Sequence, residues 1–166
     1  MLRTKTSRCG FTVIEMLMTL MILGMLLAAL AAAFSASIAN FKVNEDAFKL
    51  TNSARQALAR ITTELRTATA VEVSEPSYEC SLITSGNSNI TYKFDSTDNT
   101  LYLITNDSLL DDDYILCENV TAMTFVKAVD PVDSGVIRNV QISMTLSSDN
   151  FTKSISTAAV LRRNIP

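Results

Sequence analysis

A long apolar stretch near the N-terminus dominates the pattern of hydrophobic and polar positions. Residues 11–34 form a run of 24 positions in which Glu15 is the only ionisable side chain. As an α-helix this run would be about 36 Å long, and the hydrocarbon core of a bilayer is about 30 Å thick. The pattern therefore predicts one membrane-spanning helical segment over residues 11–34.

Residues 35–70 contain neither proline nor glycine and become amphipathic. Apolar side chains recur at three- and four-residue steps, which places them on one face of a helix. The members of this apolar face are Ala47, Leu50, Ala54, Leu58, Ile61, Leu65 and Ala68. The pattern predicts one continuous helix over residues 11–70, whose second half offers a face to a sheet. Two helices with a break near Asn40 are the alternative.

After residue 70 the pattern alternates with the period of a β-strand. Ile90, Tyr92 and Phe94 alternate with polar residues, and a turn at 96–99 leads to a second strand, as in a β-hairpin. Longer segments of the same kind are 120–129, 136–146 and 151–161. Hairpin connections indicate an antiparallel sheet with one face packed on the helix. The predicted fold class is α+β, with a small antiparallel β-sheet domain over residues 71–166.

The first ten residues form a short basic leader that ends in a small residue. Arg3, Lys5 and Arg8 are its only charges, and Gly10 directly precedes the apolar run. Because positive charges beside a membrane helix stay in the cytoplasm, the C-terminal domain is predicted to lie outside it. An ordinary signal peptide has an apolar region of about 7–15 residues with the small-residue cleavage site after it. In this chain the apolar run is longer, and the small residue Gly10 comes before the run rather than after it.

The sequence GFTVIEML at residues 10–17, behind the basic leader, resembles the class III signal peptide of the type IV pilin superfamily, which includes the type II secretion pseudopilins. The resemblance implies that residues 1–10 are a leader, removed by a prepilin peptidase that cuts after Gly10. It further implies that the new N-terminus, Phe11, is N-methylated. Glu15 matches the glutamate at position five of the mature chain.

Glu15 is expected to be a charge used in assembly. Its carboxylate would pair with the terminal amine of a neighbouring subunit, an attraction that also sets the register between subunits. The alternative is that Glu15 only caps the helix or favours its positive end, which is worth about 0.3–1 kcal/mol.

Several segments of the second half resemble J-type minor pseudopilins and W-type minor pilins. They are LARITTELRTA (58–68), YKFDSTDNTLYL (92–103), ENVTAMTFV (118–126), RNVQISMTL (138–146) and VLRRN (160–164). The resemblance implies a minor structural subunit at or near the tip of a filament, held in the bacterial inner membrane by a single span. Its partners would be the prepilin peptidase, other minor and major pilins or pseudopilins, and the inner-membrane assembly platform.

A major subunit is one alternative to this interpretation. Against it, no proline interrupts the helix at Ala32, near which major pilins often carry one. A pilin-scaffold adhesin or a DNA-uptake pseudopilin is the other alternative.

Composition argues against nucleic-acid binding and against catalysis. The net charge of −3 would become −6 when the leader leaves, and an acidic chain lacks the basic patch that nucleic acid attracts. The chain has no histidine, no G-x-S-x-G motif and only four glycines. Neither an enzyme nor a cofactor is therefore expected.

The three cysteines fall into two groups. Cys9 would leave with the leader, whereas Cys80 and Cys117 remain in a compartment where disulfides persist. If bonded, they would close a loop worth about 4 kcal/mol in the chain-entropy model. Two buried free thiols are the alternative, and a metal site built on two thiolates without histidine is not expected.

Two acidic segments contain oxygen ligands of the kind that calcium takes. They are Asp111, Asp112 and Asp113, and the turn with Asp130 and Asp133. Neither has the spacing of a defined calcium loop, so solvated acidic turns are the favoured interpretation.

Overall fold

The computed structural model describes residues 10–106, 113–131, 135–148 and 151–162. In these residues one α-helix is followed by eight β-strands. The elements are α1 (Val13–Thr67), β1 (Ala70–Val71), β2 (Glu79–Ile83), β3 (Asn89–Asp95), β4 (Thr100–Thr105), β5 (Tyr114–Cys117), β6 (Val120–Val129), β7 (Ile137–Ser148) and β8 (Phe151–Val160). The predicted α+β fold class, a long N-terminal helix packed on antiparallel β-structure, is confirmed.

Helix α1 is a single element from Val13 to Thr67, as the continuous amphipathic pattern predicts. The alternative of two helices with a break near Asn40 is therefore wrong. The chain divides into two units between Lys42 and Val43, so α1 contributes residues to both. In the first unit all described residues, 10–42, are exposed.

In the second unit the predicted face of α1 is the one that becomes buried. Ile61 and Leu65 are fully buried, and Ala54, Leu58 and Ala68 join them in a hydrophobic core with the strands. Two threonines also lie on this buried face. Thr62 is tolerated there because its hydroxyl donates a hydrogen bond to the Leu58 carbonyl at 2.8 Å, so the helix itself satisfies the buried polar group.

The strands form two antiparallel sheets rather than the single sheet expected from the sequence. The first has the order β1-β2-β3-β4-β5 and the second the order β6-β7-β8. The predicted hairpin is β3–β4, with Tyr92 opposite Leu103 and Phe94 opposite Leu101. The three longer predicted strands are β6, β7 and β8, each within two residues of its predicted bounds.

A polar contact within the core links the helix to the first sheet. The hydroxyl of Tyr92, which is fully buried, donates a hydrogen bond to the Glu64 carboxylate. The Nε of Arg60 contacts the same carboxylate at 3.1 Å. Burial, followed by the hydrogen bond to Glu64, raises the pKa of Tyr92, so the phenol remains a neutral donor. The contact fixes α1 over the middle of the first sheet.

A second polar contact joins the two sheets. Lys127 on β6 donates to the Glu75 carboxylate at 2.8 Å and to the Glu72 carbonyl at 2.7 Å. The Glu75 carboxylate also accepts a hydrogen bond from the Ser81 N–H on β2 at 2.8 Å. Only 8% of the Lys127 side chain and 15% of the Glu75 side chain are exposed. The ion pair is therefore largely shielded from water.

The disulfide predicted between Cys80 and Cys117 is absent, because both cysteines are free and buried. Cys80 lies on β2 and Cys117 on β5, with β3 and β4 between them. Three strand spacings amount to about 14 Å, whereas the Cα atoms of a disulfide lie about 4.4–6.8 Å apart. The alternative of two buried thiols is therefore the one that the structure adopts.

We expect neither thiol to react with a membrane-permeant alkylating reagent in the native protein. Burial raises the pKa of Cys80 to about 12 and that of Cys117 to about 11, and the thiolate is the reactive form. Labelling followed by mass spectrometry should show no modification of either residue before unfolding and modification of both afterwards, without added reductant. If alkylation after unfolding needs a reductant, the two cysteines are bonded and the free-thiol assignment is wrong.

Part of the two acidic segments lies outside the described residues, because Asp111, Asp112 and Asp133 are not among them. Asp130 is described, and its carboxylate accepts a hydrogen bond from the Nε of Arg138 at 2.6 Å. Among the described residues, no group of three or more histidine, cysteine or acidic side chains is placed to hold a metal ion.

Candidate processing and assembly site

The candidate cleavage site is an exposed segment directly before α1. Gly10 and Phe11 are outside the helix, which begins at Val13. The side chain of Phe11 is 80% exposed, and no described atom comes within 4 Å of the position that a Cβ on Gly10 would occupy. The peptide bond between them is therefore accessible and free of helical hydrogen bonding, as a peptidase requires of its substrate.

Glu15 and Thr12 form a capping box at the start of α1. The Thr12 hydroxyl accepts a hydrogen bond from the Glu15 N–H at 3.3 Å. In return, the Glu15 Oε2 accepts bonds from the Thr12 N–H and the Thr12 hydroxyl, each at 3.2 Å. The helix N-terminus leaves backbone N–H groups without intrahelical partners, and this reciprocal pair satisfies two donors. Thr12 is therefore the N-cap and Glu15 the third helical residue.

The capping box shows the local role of Glu15, which is to cap the N-terminus of α1. The carboxylate lies in the first turn, where the positive end of the helix dipole favours a negative charge. Both bonds from Thr12 end on Oε2, so Oε1 keeps its capacity to accept a hydrogen bond from another group. Thr12 was not predicted as a functional residue, although T-V-I-E fits the S/T-x-x-E signature of a capping box. Capping and pairing with a second charge are therefore compatible.

The part of α1 that follows the capping box is apolar on all sides. Leu17, Met18, Leu20 and Leu23 are each more than half exposed although they point in different directions around the helix. An 18-residue window of α1, the one α-helix in the described residues, has a mean hydropathy of 2.4, so α1 has the length and composition to cross a membrane. Thr19 satisfies its hydroxyl by donating to the Met16 carbonyl at 2.9 Å. This segment has the properties that a bilayer requires of a spanning helix.

The fold and this site together are consistent with a pilin-like protein. Residues 5–31 match the family model described as "Prokaryotic N-terminal methylation motif". The match includes Gly10, Phe11 and Glu15, and it supports a type IV pilin-like or pseudopilin precursor that is cleaved by prepilin peptidase. No curated protein and no solved structure matches the chain.

The match also supports the coarser predictions that depend on the motif. It indicates a structural subunit rather than an enzyme, assembly with other pilins, and attachment to a membrane. It covers residues 5–31 only, which are the last part of the predicted leader and the first part of α1. The β-sheets, which begin at Ala70, lie outside the matched residues.

Proposed function

We propose that this chain is a minor pilin-like subunit, a pseudopilin, of a type II secretion or type IV pilus machine. The observation that carries the proposal is the methylation motif, located on an exposed Gly10–Phe11 bond directly before a helix apolar enough to cross a membrane. Cleavage after Gly10 and methylation of Phe11 would give a subunit held in the inner membrane by residues 11–34. The β-sheet domain would lie outside the cytoplasm.

The apolar surface of α1 requires a cover both before and after assembly. Lipid covers it while the subunit is in the bilayer. Once the subunit leaves the bilayer, only the helices of neighbouring subunits can replace the lipid, because exposing this much apolar surface to water costs about 25 cal/mol per Å². Filament assembly with other pilin-like subunits follows from that requirement. The sequence resemblance to minor subunits supports a position at or near the tip.

Glu15 is proposed to guide this assembly. Cleavage creates an amine at Phe11, and methylation keeps its positive charge. In a water-poor filament core, two opposite charges about 4 Å apart attract by about 4 kcal/mol at an effective dielectric constant of about 20, before desolvation is subtracted. Before desolvation is subtracted, this attraction exceeds the contribution of about 0.3–1 kcal/mol expected from the helix dipole alone. It also favours one axial register between adjacent subunits.

We expect Glu15→Leu to insert and to be cleaved normally but to be recovered with its partner subunits at a much lower yield. Thr12→Val is the matched control, because it removes the capping partner and keeps the carboxylate. Loss of an N-cap costs about 0.5–2 kcal/mol of helix stability, which a helix of 55 residues in a membrane tolerates. Affinity purification of the tagged subunit from membranes of cells that also express the neighbouring prepilin-like genes measures the yield.

The two variants separate the roles of Glu15. Normal co-purification of Glu15→Leu would show that the carboxylate is not used for pairing. An equal loss in Thr12→Val would assign the effect to capping instead. Recovery of the wild-type subunit only with copies of itself would favour a major subunit over a minor one.

A further inference from the structure

In the described residues the two sheets have four outer edges, and three of them are short or already occupied. The first sheet ends in β1 and β5, which have only two and four residues. On the outer side of β6, the Phe125 N–H donates to the Ser77 carbonyl at 2.7 Å. The Val120 N–H of the same strand donates to the Asn99 carbonyl at 2.8 Å. Natural sheets protect their edges in such ways, because an open edge pairs with other chains.

The fourth edge, β8, is long and regular. It has ten residues, contains no proline, and pairs with β7 without a register shift. Directly after it, the Leu161 N–H donates to the Arg138 carbonyl of β7 at 3.0 Å. Alternate residues of an antiparallel ladder direct their main-chain groups to opposite sides, so the odd-numbered residues of β8 bond to β7 and the even-numbered ones point away from it. The residues that point away, all exposed, are Thr152, Ser154, Ser156, Ala158 and Val160.

No described residue bonds to the outward main-chain groups of β8. Strand β7 is its only neighbour in the described part of the second sheet, and no backbone hydrogen bond from elsewhere in that part reaches its far side. Each of the five outward residues therefore offers an N–H donor and a carbonyl acceptor to an added strand.

The side chains of β8 leave room for such a strand. Ile155 and Ala159 lie on the face that packs in the core, opposite Met144 and Val140 of β7, which are fully buried. Ile155 itself is only half buried and packs at the rim of the core, so an apolar side chain on an added strand would cover it. On the other face, positions 152, 154, 156 and 158 carry only threonine, serine and alanine.

Two cations at the ends of this edge have no anion beside them. Lys153, near the start of β8, and Arg162, just after its end, are exposed, and neither forms an ion pair with a residue that the structure describes. Arg138 of β7 is by contrast balanced by Asp130 at 2.6 Å. Strand β8 contains no acidic residue. The edge is therefore locally positive, although the chain has a net charge of −3.

The charge of Lys153 also selects against a second copy of this chain. In an antiparallel pair of two β8 strands centred on Ser156, Lys153 would lie opposite Ala159, and the residues of β8 would offer it no carboxylate. A lysine on an edge strand is one of the devices that oppose such self-pairing. A segment that carries a carboxylate at this position gains an attraction instead, because opposite charges across two strands stabilise the pair.

We propose that β8 binds an extended acidic segment of another protein by strand addition. The segment would hydrogen-bond to the outward main-chain groups between Thr152 and Val160, cover Ile155 with an apolar side chain, and place a carboxylate beside Lys153. Main-chain bonds would supply affinity, and the side chains with their charge would supply specificity. The site contains no residue of the methylation motif, so its test is independent of the test of processing.

The test uses the full chain in detergent micelles with ¹⁵N-labelled alanine, because β8 contains an internal control. The Ala158 N–H points away from β7, whereas the Ala159 N–H points toward it. Ala158→Ser and Ala159→Ser assign the two signals. The probe is the capped peptide Glu-Ser-Val-Ser-Val-Ser-Glu at millimolar concentration in about 0.15 M salt, which screens exposed charges beyond about 8 Å.

The acidic peptide should slow the exchange of the Ala158 amide proton several-fold and leave that of Ala159 unchanged. The matched peptide Lys-Ser-Val-Ser-Val-Ser-Lys should bind about fivefold more weakly, because it places a like charge opposite Lys153. No protection of Ala158 by the acidic peptide, or equal protection by both peptides, would overturn the proposal. Protection of Ala158 without peptide, in a protein that sediments as a dimer, would overturn it in favour of a second copy.

Substitutions in β8 locate the binding. Ser156→Pro removes an N–H that points away from β7, a position at which an edge strand tolerates proline, and should abolish binding. Ser156→Ala is the matched control, because it keeps the N–H and should bind like the wild type. Lys153→Glu should reverse the preference between the two peptides. Unchanged binding by Ser156→Pro at the wild-type melting temperature would contradict the site, and an unchanged preference in Lys153→Glu would contradict the acidic occupant.

Discussion

We expect Ile61→Ala to reduce the free energy of unfolding of the second unit by about 2–5 kcal/mol. Ile61 is fully buried on the face of α1 that packs in the core with the strands. Removing most of its side chain loses transfer free energy and leaves a cavity, because packed helices and sheets relax only partly around a missing side chain. A total stability of about 5–15 kcal/mol is typical of a domain, so this single change is a large fraction of it. Chemical denaturation of the full chain in micelles, followed by circular dichroism, measures the loss.

The chain offers a matched control for this substitution. Ile115→Ala removes the same atoms from β5, where the side chain is 56% exposed. Its expected cost is within about 0.5 kcal/mol, because a surface change away from special contacts leaves no cavity. Similar losses for the two variants would show that the helix face and the strands do not share a core.

We expect Lys127→Met to destabilise the second unit by about 2–4 kcal/mol, because it leaves the shielded Glu75 carboxylate without its cation. The Glu72 carbonyl loses a donor in the same substitution. Since Lys127 is on β6 and Ser81 is on β2, these bonds hold the two sheets together. The measurement is the same denaturation experiment.

A second substitution should restore most of the loss. Glu75→Gln in the Lys127→Met background removes the uncompensated charge and still accepts the hydrogen bond from the Ser81 N–H. A double-mutant cycle of the two single variants and the double variant gives the coupling energy directly. A coupling energy near zero would mean that the two side chains do not interact in solution.

The same ion pair predicts a dependence on pH. Burial alone would raise the pKa of Glu75, but hydrogen bonds from Lys127 and Ser81 outweigh burial and hold the pKa below its usual 4.5. The unfolded chain therefore binds the proton more readily, so this contribution is complete above about pH 4.5 and is lost as the pH falls through the lower, folded value. The melting temperature of the wild type should decline more steeply in this acidic range than that of Glu75→Gln. Parallel declines would show that Glu75 is not the group responsible.

The sequence predicted those parts of the fold whose patterns are long and regular. The apolar face around Leu58, Ile61 and Leu65 repeats over many turns, and the alternation of Val140, Ile142 and Met144 marks β7 without ambiguity. The strands that the sequence did not predict are β1, β2 and β5. They have two to five residues each, so a period of two has too few repeats to be recognised. All three join the predicted hairpin β3–β4 in the first sheet, whereas β6, β7 and β8 form the second sheet.

The same holds for the functional residues: a local sequence motif reveals some of them, and the tertiary fold determines the others. Gly10, Phe11 and Glu15 are consecutive or nearly so, and a local motif is sufficient to find them. Thr12 could have been found by its spacing from Glu15. The distance between Cys80 and Cys117 depends on which strands lie between them, and the open edge of β8 depends on the order of the strands in its sheet. Neither is encoded in a local pattern.

The identity of the mature N-terminus decides whether this chain is processed as a prepilin. The chain is expressed with an active prepilin peptidase, purified from membranes and analysed by mass spectrometry of its N-terminal peptide, with Gly10→Leu as the uncleaved control. We expect the wild type to begin at N-methylated Phe11 and the variant to keep its leader. A mature N-terminus at any other residue, or a wild type that keeps residues 1–10 beside a correctly processed prepilin, would contradict the assignment.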